Sequence, residues 1–213
     1  MLACRAVGRL PVGYILVMKK PEVTPRLILF SGHAGAGKTT LAKRALPIIV
    51  ERTGESFAFL DKDTVYGQYS SHVMQLTTGN PEDRDSPFYL DNLRDWEYSG
   101  LIDIVRENLA LSVNVILVGP FSRELKSGKI FDLTRLDLPS HTHTRVAWID
   151  LDSNEARSRM EKRADPRDNW KLANWDSYIT RRVEPPVHPD LTRFDHSEFD
   201  AEKFDQLISH LIS

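Results

Sequence analysis

The 213-residue sequence has a single cysteine, Cys4, and no CxxC or Cys/His ligand spacing. A lone thiol closes no internal disulfide, so a disulfide framework and a structural zinc site are excluded, and a reducing, cytoplasmic setting is expected. The chain also lacks a long apolar run. Residues 12–18 are apolar but interrupted by Gly13, well short of the ~20 residues that cross a bilayer. Leu2-Ala3-Cys4 is similar to a lipoprotein cleavage box, but no apolar stretch precedes the cysteine, so no signal is read there. Nor is one sign of charge in excess: 28 Lys and Arg stand against 30 Asp and Glu, a formal net charge of −2. Neither nucleic acid nor an acidic membrane is therefore the expected partner. No internal repeat or low-complexity tract is present, and the lone HxH of His141 and His143 lies in a polar turn, where such pairs are usually solvated rather than metal-bound.

What is present suffices for one globular domain, since 41% of the residues are hydrophobic and a chain of this size needs no staple. The domain is assigned to residues 26–213, behind an N-terminal extension of residues 1–25 that includes an alternative start at Met18. Residues 26–31, RLILFS, form an apolar run without helical period, the mark of a parallel strand buried on both faces. Residues 39–52 follow as a helix, kinked at Pro47 and ended by Gly54. Further strands are expected at 56–60, 112–118, 144–151 and 191–194. Leu101, Ile104, Val105 and Leu109 give one helical face, and Phe204, Leu207, Ile208, Leu211 and Ile212 give another. The alternation predicts an α/β domain built on a doubly wound parallel sheet of about five strands. Residues 64–100 and 153–190 are too long to be plain connections, and as excursions beyond the carboxyl ends of the strands they would border a ligand.

Gly32, Gly37, Lys38 and Thr39 satisfy GxxxxGK[ST] within GHAGAGKTT, with a strand before and a helix after. In such a loop the backbone N–H groups turn in around phosphates, the helix N-terminus adds positive potential, and the lysine reaches the outer phosphates. Gly32, His33, Ala34, Gly35, Ala36, Gly37, Lys38, Thr39 and Thr40 are thus the expected nucleotide cradle, with Thr39 on Mg²⁺ and His33 a spacer whose backbone alone matters. The alternative is a glycine-rich turn that merely caps a helix.

Just past the second strand, Asp61-Lys62-Asp63-Thr64 sets two carboxylates where the cradle opens. On the glycine loop and this DKDT the sequence resembles the P-loop small-molecule and polynucleotide kinases, an AAA-type ATP-binding group that includes gluconate kinase, chloramphenicol phosphotransferase and the zeta toxins; the zeta-type likeness at DKDT is strongest. The resemblance implies a P-loop NTPase fold of kinase type, ATP and Mg²⁺ as cofactors, and an aspartate that orients and deprotonates the acceptor hydroxyl. By motif position that role falls to Asp63, with Asp61 as the second choice. Only one of the two is expected to face the nucleotide directly. The plainer reading is a helix cap, because Asp is a favoured N-cap.

The same resemblance implies a lid after the fourth strand whose arginines neutralise the transferring phosphoryl group; Arg163, then Arg159 and Arg167, are the candidates. Asp165-Pro166-Arg167-Asp168 reads as the start of a second lid helix, packed through Leu172, Trp175, Ile179 and Val183. Without the resemblance these would be two surface helices with ordinary ion pairs. The third strand runs from Val118 into Gly119 where many P-loop ATPases carry a metal-shell aspartate, which leaves Asp61 or Asp63 for that duty. Phe121 and Arg123 beyond this strand, and Arg84 and Asp85 in the first excursion, are the expected acceptor-binding residues; the competing reading of that excursion is a solvated helical cap that Tyr89, Trp96 and Tyr98 anchor to the core. The expected function is an ATP- and Mg²⁺-dependent transferase that phosphorylates a hydroxyl of a small polar metabolite, nucleoside or antibiotic. The alternatives are a polynucleotide 5′-hydroxyl kinase, for which Arg84, Arg94, Arg123 and Lys126 would form a positive groove, and a regulatory NTPase without a small acceptor.

Overall fold

The structure, a computed structural model, describes residues 24–213; the reading of an extension with an alternative start at Met18 lies outside them, apart from residues 24 and 25. In chain order the elements are β1 (Arg26–Gly32), α1 (Lys38–Thr53), β2 (Phe57–Asp61), α2 (Lys62–Thr78), α3 (Pro87–Asn92), α4 (Arg94–Ala110), β3 (Asn114–Val118), α5 (Ser122–Lys126), β4 (His143–Asp150), α6 (Ser153–Arg163), α7 (Asn169–Ala173), α8 (Trp175–Ile179), β5 (Leu191–Asp195) and α9 (Ala201–Ile212). The five strands form one parallel sheet in the order β2-β3-β1-β4-β5. The α/β, doubly wound architecture expected from the alternation of strand and helix is the one found. Among the described residues no helix is long and apolar enough to cross a membrane.

β1 occupies the centre, and the period-2 alternation of its side chains divides the core. Ile28 and Phe30 join Leu41, Ala45 and Ile49 of α1 and Phe204, Leu207 and Leu211 of α9 on one face of the sheet. Leu27 and Leu29 join Leu101, Val105 and Leu109 of α4 and Trp148 of β4 on the other. Burial on both faces explains why RLILF is unbroken apolar sequence. On α4 it is Ile102, not Ile104, that completes the buried face. The second helix expected after the fourth strand is instead a 3-10 turn at Pro166–Asp168 followed by the short α7 and α8, interrupted at Asn174. Asp165 does cap its start, accepting from the Arg167 N–H, with proline at the first helical position.

Strand ends and helix starts are set by local chemistry. Gly54 ends α1 in the left-handed conformation. Asp152 caps α6 by accepting from the N–H groups of Asn154 and Glu155, and Asp200 caps α9 likewise from Glu202 and Lys203. Gly32, where β1 turns into the loop, has φ +139°, and a Cβ there would run into the Ile149 carbonyl oxygen of β4. Gly32→Ala is therefore expected to destabilise the fold by about 1–3 kcal/mol from backbone strain alone, read as a lowered urea midpoint.

Candidate functional site

The loop after β1 folds as a cradle because three of its glycines take positive φ: Gly32, Gly35 and Gly37. At Gly37 a Cβ would stand 2.7 Å from the His196 ring, so the loop and the segment after β5 are packed too closely for a side chain. Lys38 opens α1 and turns its Nζ back to donate to the His33 carbonyl at 2.8 Å. Burial lowers the Lys38 pKa to about 8, a shift that Asp63 and Asp61 partly oppose.

Beside the cradle, Asp61 ends β2 and caps α2. Its Oδ1 accepts the Asp63 N–H at 2.8 Å, and its Oδ2 accepts the Thr39 hydroxyl at 2.7 Å. In the sheet Asp61 pairs with Val118 of β3, which pairs in turn with Phe30 of β1. The carboxylate that β3 lacks is thus supplied at the same height by the next strand. Helix begins at Lys62, so Asp63 is placed by the first turn of α2, and both aspartates, not one, line the same cleft. Of the two carboxylates left for the metal shell, Asp61 is the one bonded to Thr39.

Asp63 is half-exposed and faces cations. Arg167 Nη1 donates to its Oδ2 at 2.9 Å, Arg84 Nη2 to its Oδ1 at 3.4 Å, and Lys62 Nζ lies 3.6 Å from Oδ1. Burial alone would raise its pKa, but Lys62, Arg84, Arg167 and Lys38 together hold it at about 2. Asp85 is grasped from the 153–190 segment, by Lys171 Nζ on Oδ2 at 2.6 Å and by Arg181 Nη1 on its carbonyl at 3.1 Å.

The cleft enclosed by these groups measures about 470 Å³, and ten Lys and Arg side chains line it against four Asp. A chain with no overall positive charge has concentrated its cations here, the arrangement that draws in a polyphosphate. Arg163 and Arg167 both line it, as do Arg84, Asp85 and Arg123. Arg163 is bound to the buried Asp168 through Nε at 3.1 Å and through Nη2.

Two expected residues stand elsewhere. Arg159 is outside the cleft lining: its Nε donates to Glu155 at 2.9 Å and its Nη2 to the His196 carbonyl at 2.8 Å, tying α6 to the segment after β5. One helical turn separates it from Arg163, but the ion pair within α6 turns it away. Phe121 is fully buried with φ +43° and packs edge-on to Tyr98 at 4.8 Å, supporting the cleft wall from within the core. Tyr89 and Tyr98 anchor the first excursion as expected, whereas Trp96 is 78% exposed and anchors nothing.

Sequence reasoning missed the His33 side chain. Its Nε2 donates to the Val183 carbonyl at 2.9 Å, its ring meets Trp148 edge-on at 5.2 Å, and the neighbouring Ala34 N–H donates to Tyr178 Oη at 3.2 Å. The loop is thus strapped to α8 and the segment after it by partners 144 and 150 residues away; no local pattern signals such contacts.

Comparison with known proteins bears on the whole of this arrangement. A family model described as AAA domain matches residues 27–186. No curated protein matches the sequence. Solved structures similar to this chain include the APS kinase CysC of Mycobacterium tuberculosis in complex with AMPPNP and APS, at 18% identity and TM-score 0.56, covering 89% of this chain and 99% of that one. A sugar kinase from Janibacter is similar at 17% identity and TM-score 0.54, covering 87% and 91%. Kti12 of Chaetomium thermophilum in complex with ADP-AlF3 is similar at 16% identity and TM-score 0.60, covering 86% and 95%. At these identities the likeness establishes the fold, that of the P-loop kinases.

Burial, with repulsion from Arg182, lowers the His33 pKa from 6.5 to about 4. The unfolded chain therefore takes up a proton at this residue before the folded one does, and stability is lost as pH falls from about 6.5 toward 4. His33→Gln is expected to flatten that part of the stability–pH curve, measured by urea unfolding at half-unit intervals.

Proposed function

The chain belongs to the AAA domain family, and on that footing we propose that it is an ATP- and Mg²⁺-dependent phosphotransferase that moves the γ-phosphoryl group to a hydroxyl of a small polar molecule. The observation that carries the reading is the pair of aspartates at the end of β2: Asp61 clasps Thr39, and Asp63 stands two residues on at the wall of the same cleft. A nucleotide triphosphate fits the cradle because the positive-φ glycines let the loop curl beside a cleft that Lys38 and nine other cations line. A hard divalent cation fits the oxygen donors of Thr39 and Asp61, which would hold Mg²⁺, and the ion would supply positive charge against the phosphates.

In this reading Lys38 exchanges the His33 carbonyl for the β- and γ-phosphates, and its buried ammonium gains charge partners by doing so. Arg163 and Arg167, on a lid formed by residues 153–190, offset charge on the phosphoryl group as it transfers. The acceptor oxygen forms its bond to the γ-phosphorus while the bond from phosphorus to the β–γ bridging oxygen breaks; the hydroxyl proton passes to Asp63, and ADP leaves. With a pKa of about 2, Asp63 is a weak base, so its main contribution is to accept the hydroxyl's hydrogen bond and aim the oxygen. That suits a loose transition state, in which little charge has built on the nucleophile when the leaving bond is already long. Arg84, Asp85 and Arg123 border the acceptor.

Three of the four cations that a polynucleotide acceptor would call on, all but Lys126, are already paired. Arg94 forks onto Glu124 at 2.6 and 2.8 Å, Arg123 is bound to Asp95 at 3.1 Å, and Arg84 to Asp63, so none of the three offers an uncommitted contact to a phosphate backbone.

The test is ADP release from Mg-ATP across a panel of hydroxyl metabolites, nucleosides and aminoglycosides. Lys38→Ala is expected to abolish turnover with every compound, and Asp63→Asn to lower kcat with the stimulating acceptor by about 10²–10⁴-fold while leaving ATP binding intact. Stimulation by no compound, or full turnover in Asp63→Asn, would move the assignment to a regulatory NTPase.

A further inference from the structure

Lys62, between the two aspartates, is 7% exposed although charged. Its Nζ lies 2.8 Å from Glu97 Oε2, donates to Tyr89 Oη at 3.2 Å, and lies 3.6 Å from Asp63 Oδ1. Glu97, 3% exposed, accepts in addition from Tyr89 Oη at 2.5 Å and from the Ser70 hydroxyl. The rings of Tyr89 and Tyr98 stand 5.8 and 5.7 Å from the ammonium and close its flanks. A buried ion pair of this kind is a poor source of stability, because desolvation consumes much of the Coulombic gain, so it calls for another explanation.

The direction of the cluster supplies one. A surface lysine swings through many rotamers, but this one is gripped from behind by α2, α3 and α4, with its remaining side turned to the cleft, which it lines. The other cations around Asp63 have different supports. Arg167 is on the segment after α6, where Asp165 also holds it; Arg84 is in the loop before α3; and Lys38 belongs to the phosphate cradle. If the 153–190 segment lifts to admit nucleotide, Arg167 leaves Asp63, and if phosphate arrives, Lys38 is committed to it. Lys62 stays, because nothing in its clamp belongs to either moving part.

We propose that Lys62, clamped by Glu97 and Tyr89, is the positioning residue for Asp63, a fixed cation that keeps its carboxylate directed into the cleft while the lid and nucleotide exchange. Since Tyr89 and Glu97 lie in the acceptor-side excursion, that excursion aims the proton acceptor as well as bordering the substrate. The proposal rests on the reading of Asp63 given above.

The experiment is steady-state ADP release from Mg-ATP by the full chain, with water as the accepting hydroxyl, in the wild type, Lys62→Met, Lys62→Arg, Asp63→Asn and the Lys62→Met/Asp63→Asn double variant. Lys62→Met is expected to lower kcat by at least about tenfold with the KM for ATP within about twofold, and Lys62→Arg to retain most of the rate. In the Asp63→Asn background, Lys62→Met should cost less than about twofold more, because a group that acts through Asp63 has nothing left to act on. Losses that multiply, or a Lys62→Met rate equal to wild type, would overturn the proposal. Should Lys62→Met fail to melt cooperatively, Glu97→Gln takes its place in the cycle under the same criterion. A wild-type rate in Asp63→Asn would remove the base reading and this proposal with it, and a wild type no faster than Lys38→Ala, with no turnover for Lys62 to support, would overturn this proposal while leaving phosphoryl transfer to the acceptor panel above.

Discussion

The hydrogen bond from Thr39 to Asp61 is the contact on which the site's geometry depends. It joins the first turn of α1, where the phosphate cradle ends, to the last residue of β2, where α2 begins. β2 sits at the edge of the sheet and is separated from β1 by β3, so the two loops are not neighbours by strand pairing. A short side chain on each side spans the gap only because Asp61, Val118 and Phe30 lie in register across the three strands. A one-residue slip of either ladder would turn the carboxylate to the other face of the sheet. The second oxygen of Asp61 then fixes the start of α2 through the Asp63 N–H, so one carboxylate sets both the oxygen environment of the cradle and the place of the next aspartate.

Charge follows from that frame. The excess of cations in the cleft is costly in a molecule without substrate unless carboxylates hold them apart, and the partners are distributed to do so: Asp63 on Arg167 and Arg84, Asp85 on Lys171, Asp168 on Arg163. Two of these pairs, Arg167–Asp63 and Lys171–Asp85, also join the segment after α6 to the one after β2. The same side chains that would receive phosphate therefore hold the two walls of the cleft together.

Much of the frame was legible in the sequence because it is locally encoded. The run RLILFS, the glycine loop and Lys38-Thr39 specify strand, turn and helix N-terminus within a few residues, and the alternation of later segments gives a parallel sheet. The Asp61–Asp63 corner was legible in position but not in orientation. On a strand, residues two apart share a face, but the cap made by Asp61 itself starts the helix at Lys62, so a helical turn and not the strand decides where Asp63 points. Arg159 and Arg163 look equivalent by spacing, yet Glu155 one turn before Arg159 and the His196 carbonyl claim the first, while Asp168 holds the second at the cleft. Phe121 follows β3 as a pocket residue would, and only the tertiary fold shows it turned inward against Tyr98.

The residues that sequence reasoning missed share one property: their partners are distant in the chain. His33 reaches Val183, Lys62 reaches Glu97 and Tyr89, and Ala34 reaches Tyr178. Periodicity and motif spacing describe a residue by its neighbours in sequence, so a side chain whose role is to join two excursions carries no local mark. Lys62 is the sharpest instance. Between two aspartates a lysine reads as local charge balance, and on the surface that is all it would be, because an exposed pair is weak and mobile. Burial changes its meaning: a cation that has lost its water must be held by fixed partners, and partners that hold it also determine where its field points. The ammonium of Lys62 is held 3.6 Å from Asp63 Oδ1. The acceptor-side excursion thereby reaches the corner at the end of β2 without touching the nucleotide cradle.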